Sequence, residues 1–191
     1  MMSDLDRFMQ ETDEQVYNRY LNERDEKDIH ILFERYKESL ILFINSLVHN
    51  IDDAEELMID TFAQIVAGPT LFSERSSFKT WLFSVGRNLA LMRLRRLSRE
   101  VAADDENMIA SEDLEFDILK NERNRQLYSA LEKLKPQYRE ILILEYFEDM
   151  THEEAGRVMH KNRKQIYNLV QRGQKALKDQ LERMGFNNEG Y

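Results

Sequence analysis

The chain has 191 residues, 42% apolar and 10% aromatic, enough to build one ordinary core or two small ones. A formal net charge of -9 excludes a uniformly basic nucleic-acid coat, and the absence of cysteine excludes disulfides, thiolate metal sites and cysteine nucleophiles. The N-terminal MMSDLDRFMQETDEQ has no apolar h-region and the most apolar stretch, Leu40 to Val48, is broken by Asn45 and Ser46, so no signal peptide and no membrane insertion are expected, and the expected location is cytoplasmic.

Two Pro and six Gly, with apolar residues at helical spacing nearly throughout, predict an all-α chain. Residues 1–27 are acidic and weakly patterned, an N-terminal extension with a short helix near Val16, Tyr17, Tyr20 and Leu21. Ile29, Leu32, Phe33, Tyr36, Leu40, Phe43, Ile44 and Leu47 form the stripe of a long helix with one buried face. After Asn50, IDDAEELMIDTFAQIVAGP predicts a second helix, with Asp52 as its cap, a stripe of Leu57, Met58, Phe62, Ile65 and Val66, and a stop at Gly68-Pro69. A third helix is expected from about Ser76 to Leu97, completing a small bundle over residues 28–99.

From Arg99 the composition changes. Nine acids against one Lys between Glu100 and Glu122 mark a flexible acidic linker, placed at 100–121. Helical periodicity resumes with Leu119, Leu127, Leu131 and Leu134, and Pro136 opens a helix carrying Ile141, Leu142, Leu144 and Tyr146. The organisation expected is two small helical domains joined by an acidic tether, the second over 122–183, followed by a short tail at 184–191.

The second domain contains THEEAGRVMHKNRKQIYNLVQRGQKALK. From Ala155 to Lys178 it has no acid and seven Lys or Arg. Thr151 with Glu154 is a capping box, His160-Lys161 makes a turn, and Asn162 with Gln165 opens a longer helix with Ile166, Leu169, Val170, Gly173 and Leu177 inward. This is a helix-turn-helix pattern. Its outward face carries Arg163, Lys164, Tyr167, Asn168 and Gln171, placed for base edges and phosphate, with Arg172, Lys175 and Lys178 better placed for backbone charge. The plain alternative is a solvated basic helix.

The third helix has a basic end, GRNLALMRLRRLSR, with Arg87, Arg93, Arg95, Arg96 and Arg99, just after SSFKTWLFSVG and the only Trp of the chain. Trp81, Val85, Leu89 and Met92 fall on one face and read as core, although an aromatic beside arginines can also stack on unpaired bases. On the second helix Asp53, Glu56, Asp60 and Gln64 recur away from the apolar stripe, as a solvated face or a dock for a basic protein.

Taken in order, these segments resemble bacterial RNA polymerase sigma factors of the extracytoplasmic-function (ECF) group. DDAEELMIDTFAQIV is similar to the family's polymerase-binding helix, SFKTWLFSVGRNLALMRLRR to its minus-10 helix, and ALEKLKPQYREILILEYFEDMTHEEAGRVM to the lead-in of its second domain. The resemblance implies that Asp53, Glu56, Asp60 and Gln64 face core RNA polymerase. It also implies that Lys79, Trp81, Arg87, Asn88, Arg93, Arg95 and Arg96 meet minus-10 promoter DNA, and that Arg163, Lys164, Gln165, Tyr167, Asn168, Gln171, Arg172 and Lys175 meet the minus-35 element. An anti-sigma factor is a further partner known in the family. The linker would thread through the polymerase's basic RNA path. Two features depart from the family pattern: His160 stands where a turn glycine is usual, at a left-handed position that disfavours a side chain, and NRKQ replaces the small residues after the turn.

Opposed charges suggest that in the free protein the acidic tether and N-terminus fold over the basic faces until polymerase separates the domains. The competing reading is a helix-turn-helix repressor or activator that binds as a dimer without polymerase. Catalysis is disfavoured: there is no glycine-rich phosphate loop, and among His30, His49, His152 and His160 none has zinc-helix spacing, so no cofactor, metal site or catalytic residue is expected.

Overall fold

The computed structural model describes residues 11–67, 72, 76–103 and 122–186. Those residues form eight helices and no strand: α1 (Asp13–Glu23), α2 (Glu26–Val48), α3 (Ile51–Ala67), α4 (Phe78–Ala103), α5 (Glu122–Glu132), α6 (Pro136–Tyr146), α7 (His152–Met159) and α8 (Arg163–Arg183). The all-α expectation holds. Most of the acidic tether, the Gly68-Pro69 stop, residues 1–10 and residues 187–191 lie outside the described residues.

The N-terminal segment expected as an extension is part of the core. Thr12 and Gln15 form a reciprocal capping box that starts α1, and Val16, Tyr17 and Tyr20 are buried while Leu21 stays exposed. Asp25 caps α2, accepting from the Lys27 N–H at 3.0 Å. Charged and polar links then clamp α1 to α2: the Arg19 guanidinium sits bidentate on the buried Asp28 carboxylate at 2.6–3.0 Å, and the Tyr36 hydroxyl donates to Asp13.

Helix α2 is the spine, packing against α1, α3, α4 and α6. Leu32, Leu40, Phe43 and Ile44 on it are fully buried, each such side chain contributing about 1.5–3 kcal/mol by leaving water. Helix α3 starts two residues earlier than Asp52 as its cap would allow, because Asn50 takes the capping role by accepting from the Asp53 N–H at 2.8 Å. Three stripe assignments need correction. Val66 is 39% exposed, Tyr146, the last residue of its helix, 57%, and Met92 61%. On α4 the buried face is Phe78, Leu82, Phe83, Gly86 and Ala90, not the Trp81-Met92 face. At Gly86 a Cβ would stand 3.0 Å from Leu40 Cδ1, so glycine lets α4 lie close on α2.

The two helical units are not held apart. Helix α4 packs on α7, and α2 on α6, so one continuous buried cluster runs through both.

Candidate nucleic-acid interface

Helices α7 and α8 form the expected helix-turn-helix. Thr151 Oγ1 accepts from the Glu154 N–H at 3.3 Å, and the Thr151 N–H donates to Glu154 Oε2 at 2.9 Å. His160 ends α7 in the left-handed region, φ 53 and ψ 45, so it takes over a conformation that glycine adopts more cheaply. The Lys161 N–H then returns to the Gly156 carbonyl at 2.8 Å. Asn162 and Gln165 form a second reciprocal box at 2.9 Å in both directions, fixing the angle at which α8 leaves the turn.

Ile166, Val170 and Gly173 are buried on α8, and this alone aims the opposite face outward. Arg163, Lys164, Gln165, Tyr167, Asn168, Gln171, Arg172 and Lys175 are all exposed. The Gln165 side-chain oxygen is engaged in the cap, so what Gln165 can offer a ligand is its amide N–H groups. Arg157, His160, Lys161 and Arg163 line an open cavity of about 820 Å³ beside the turn. Behind the helices, His152 Nε2 meets Glu145 at 2.5 Å, and burial pushes the Glu145 carboxyl above its ordinary range against the pull of His152.

At the start of α4 three elements converge. Ser77 Oγ accepts from the Thr80 N–H at 3.2 Å, and Glu14 on α1 accepts from the Phe78 N–H at 2.8 Å, which suits the positive end of the helix. Trp81 is half-buried among Tyr17, Phe72 and Phe78, with ring centroids 5.4–5.9 Å away. Asn88, Arg95 and Arg96 are exposed, and Arg96 is paired with Glu100 at 2.8 Å.

The remaining minus-10 candidates are already engaged. Arg93 turns to α3, where it pairs with Asp53 and, at 2.8 Å, with Glu56, so it sits among the acids expected to face polymerase. On that face Glu56, Asp60 and Gln64 are exposed and Asp53 half-buried, with Ile59 exposed at 57% among them. The aliphatic Ile59 had no place in the charge pattern and was missed. Lys79 reaches Glu148 of the second domain, 2.9 Å from its carboxylate and 2.7 Å from its carbonyl oxygen, while Arg87 pairs with Glu140 on α6. Glu154 Oε1 accepts from Ser77 Oγ at 3.3 Å.

Of these second-domain acids, Glu140 and Glu148 were also missed by sequence reasoning. The available signal was position: Glu140 directly precedes the apolar run Ile141–Leu144, where a carboxylate has to be paired if it is buried. Both Glu140 and Glu148 are buried, and burial pushes the Glu148 carboxyl above its ordinary range, offset by Lys79. Lower in the interface the Tyr128 hydroxyl donates to the Leu42 carbonyl at 2.7 Å, and the buried Arg139 donates from Nη1 to the Glu132 carbonyl at 2.9 Å and from Nη2 to His49 Nε2 at 2.7 Å.

The sequence matches known families over both halves. Residues 32–100 match the family described as Sigma-70 region 2, and residues 124–177 match Sigma-70, region 4. The chain is similar to ECF RNA polymerase sigma factor SigX of Bacillus subtilis, 23% identical over 165 residues that cover 82% of this chain and 85% of that one. It is similar also to SigW of the same organism, 23% identical over 158 residues, covering 76% and 84%. Among solved structures it resembles the sigma factor RpoE in complex with the anti-sigma factor NepR from Bartonella quintana, with a TM-score of 0.72, 27% identity, and coverage of 82% of this chain and 98% of that one. With both regions matched in order, and an exposed basic helix on the helix-turn-helix of the second, the chain belongs to the sigma-70 family as an RNA polymerase sigma factor of the ECF type.

Proposed function

We propose that this sigma factor docks on core RNA polymerase through α3, reads the minus-10 promoter element from α4 and the minus-35 element from α8, and assists melting of the DNA between them. Its family role is promoter-directed transcription, in which a sigma factor is a non-catalytic subunit and the chemistry belongs to the polymerase. The observation that carries the reading is α8: a helix opened by a reciprocal capping box, whose buried Ile166 and Val170 leave Arg163, Lys164, Tyr167 and Asn168 exposed together. Arg163 and Asn168 suit bidentate base contacts, Lys164 and Lys175 suit phosphate, and Tyr167 offers an apolar edge. On α3 the exposed Glu56, Asp60 and Gln64, with the exposed Ile59 to one side of them, offer a basic partner both charge and an apolar contact.

An anti-sigma protein is a further partner on this reading, supported by the likeness to RpoE, whose solved structure is a complex with one. Working alongside polymerase places the protein in the cytoplasm, and among the described residues no helix is long and apolar enough to cross a membrane. The test is reconstitution. Purified chain is mixed with core polymerase, and the genomic fragments retained by the complex are sequenced. An asymmetric two-part site supports the reading. Palindromic sites bound equally well without polymerase would replace it with a dimeric repressor or activator.

A further inference from the structure

The two ion pairs between the domains fall on cations assigned above to promoter DNA. Lys79 and Arg87 lie on α4, which would present them to the minus-10 strand, and both are neutralised by buried carboxylates of the second domain. Lys79 Nζ is bound twice by Glu148, through its carboxylate and through its main-chain oxygen. Arg87 is closed off further: its side chain is only 12% exposed and that of Glu140 5%. At the end of the same helix Glu154 holds Ser77. Ser77 to Arg87 spans about 15 Å of helix axis, room for several phosphates of one strand.

We infer that region 4 inhibits region 2 by phosphate mimicry: Glu148 and Glu140 occupy at Lys79 and Arg87 the positions that two phosphates of the opened promoter strand take once the domains part. This rests on the assignment of α4 as the minus-10 reader. It is distinct from the expectation that the tether and N-terminus cover the basic faces: the carboxylates on these two cations come from α6 and the turn before α7, and most of the tether lies outside the described residues. The arrangement is selective. It engages Lys79 and Arg87 while Asn88 and Arg95 on α4 and the outward face of α8 stay exposed, so the closed form retains its minus-35 reader and has two cations of its minus-10 reader occupied.

The full chain tests this, and its lack of cysteine allows a dye pair at Glu38→Cys and Asp179→Cys, one in each domain, to report their separation. Binding is measured by anisotropy with a fluorescein-labelled single-stranded oligodeoxynucleotide of mixed sequence. Glu140→Gln with Glu148→Gln is expected to lower energy transfer and to raise oligonucleotide affinity roughly tenfold at about 0.1 M salt, with the log-log salt slope steeper by about 1.4, or about 0.7 for each freed cation. The charge-matched control, Glu23→Gln with Glu34→Gln, both exposed and outside the interface, is expected to do neither. Lys79→Gln with Arg87→Gln breaks the same pairs from the other side. It is expected to lower energy transfer with no gain in affinity, and it keeps the test decisive if the glutamine pair of region 4 fails to fold by far-UV circular dichroism. Equal gains from both pairs, a gain matched by the control, or unchanged energy transfer would overturn the inference. Holoenzyme assembly of the unaltered chain with core polymerase is assayed alongside, since its failure would strike the sigma-factor docking reading and not the mimicry.

Discussion

Replacing Gly156 with alanine probes the step that sets the angle between α7 and α8. A Cβ there would lie 2.8 Å from the Lys161 carbonyl oxygen and 3.5 Å from Ile166 Cγ1. The carbonyl oxygen belongs to backbone that cannot swing aside freely: the Lys161 N–H is bound to Gly156 O at 2.8 Å and His160 is held at φ 53. Alanine gains up to about 1 kcal/mol over glycine in a helix, whereas forcing a methyl into a close-packed place costs about 1–3 kcal/mol. The expected net loss is about 1 kcal/mol, which for a chain of this size lowers Tm by about 2–4 °C. Gly173 supplies the comparison, because its Cβ would meet only the Leu142 side chain, at 3.3–3.5 Å, which can yield by a few tenths of an ångström. Gly173→Ala is therefore expected near zero. Thermal unfolding of both variants in one buffer decides the matter. A Tm for Gly156→Ala at or above that of the unaltered chain would refute the reasoning, since it would mean that the turn relaxes at no cost.

Arg163→Ala with Lys164→Ala is expected to weaken binding of holoenzyme to the minus-35 element and to flatten the log-log salt dependence by about 0.9 for each phosphate no longer neutralised, with core-polymerase association intact; filter binding across a salt series reads both. Reversing Asp53, Glu56 and Asp60 to Lys is expected to abolish co-purification with core polymerase. It also sets like charges against Arg93, so circular dichroism must accompany the pull-down. Acidification is expected to loosen the domain interface through His49. Arg139 can only donate, so His49 Nε2 must accept, and burial and Arg139 both hold the His49 imidazole below its ordinary range. A group depressed in the folded state contributes stability above its unfolded pKa and loses it as pH falls through the folded one, so Tm should drop below the ordinary imidazole range. Glu148, pushed up by burial, has the opposite sign, its contribution shrinking as pH rises. Comparison with His49→Gln therefore isolates the histidine; an identical acid-side loss in that variant would reject its role.

The helix-turn-helix was legible because it is local. Thr151 with Glu154 and Asn162 with Gln165 each satisfy the free N–H groups of their own helix start within three residues, so the caps could be read from spacing and appear as expected. The left-handed backbone at His160 was legible through the family resemblance, since it stands where the family's turn usually has glycine. The outward face of α8 followed from which apolar positions turn inward. What the sequence could not reveal is who meets whom. Arg93 reads as one more arginine in a basic run, and only the packing of α4 on α3 brings it to Asp53 and Glu56. Residues 1–27 read as an extension because a helix as short as α1 is marginal alone, and Tyr17 becomes core only when Phe72, Phe78 and Trp81 arrive from far along the chain.

By itself, the sequence determined most of the helices, the two caps of the helix-turn-helix, the exposed basic face of α8 and the order of segments that places the chain in its family, since each depends on neighbours a turn or two away. The tertiary structure decided that the two domains close on each other. Glu140 to Arg87 spans 53 residues and Glu148 to Lys79 spans 69, and no periodicity reports a pairing at that separation. Those pairs exist because a buried carboxylate requires a cation, and the closest cations in the fold are the ones on α4.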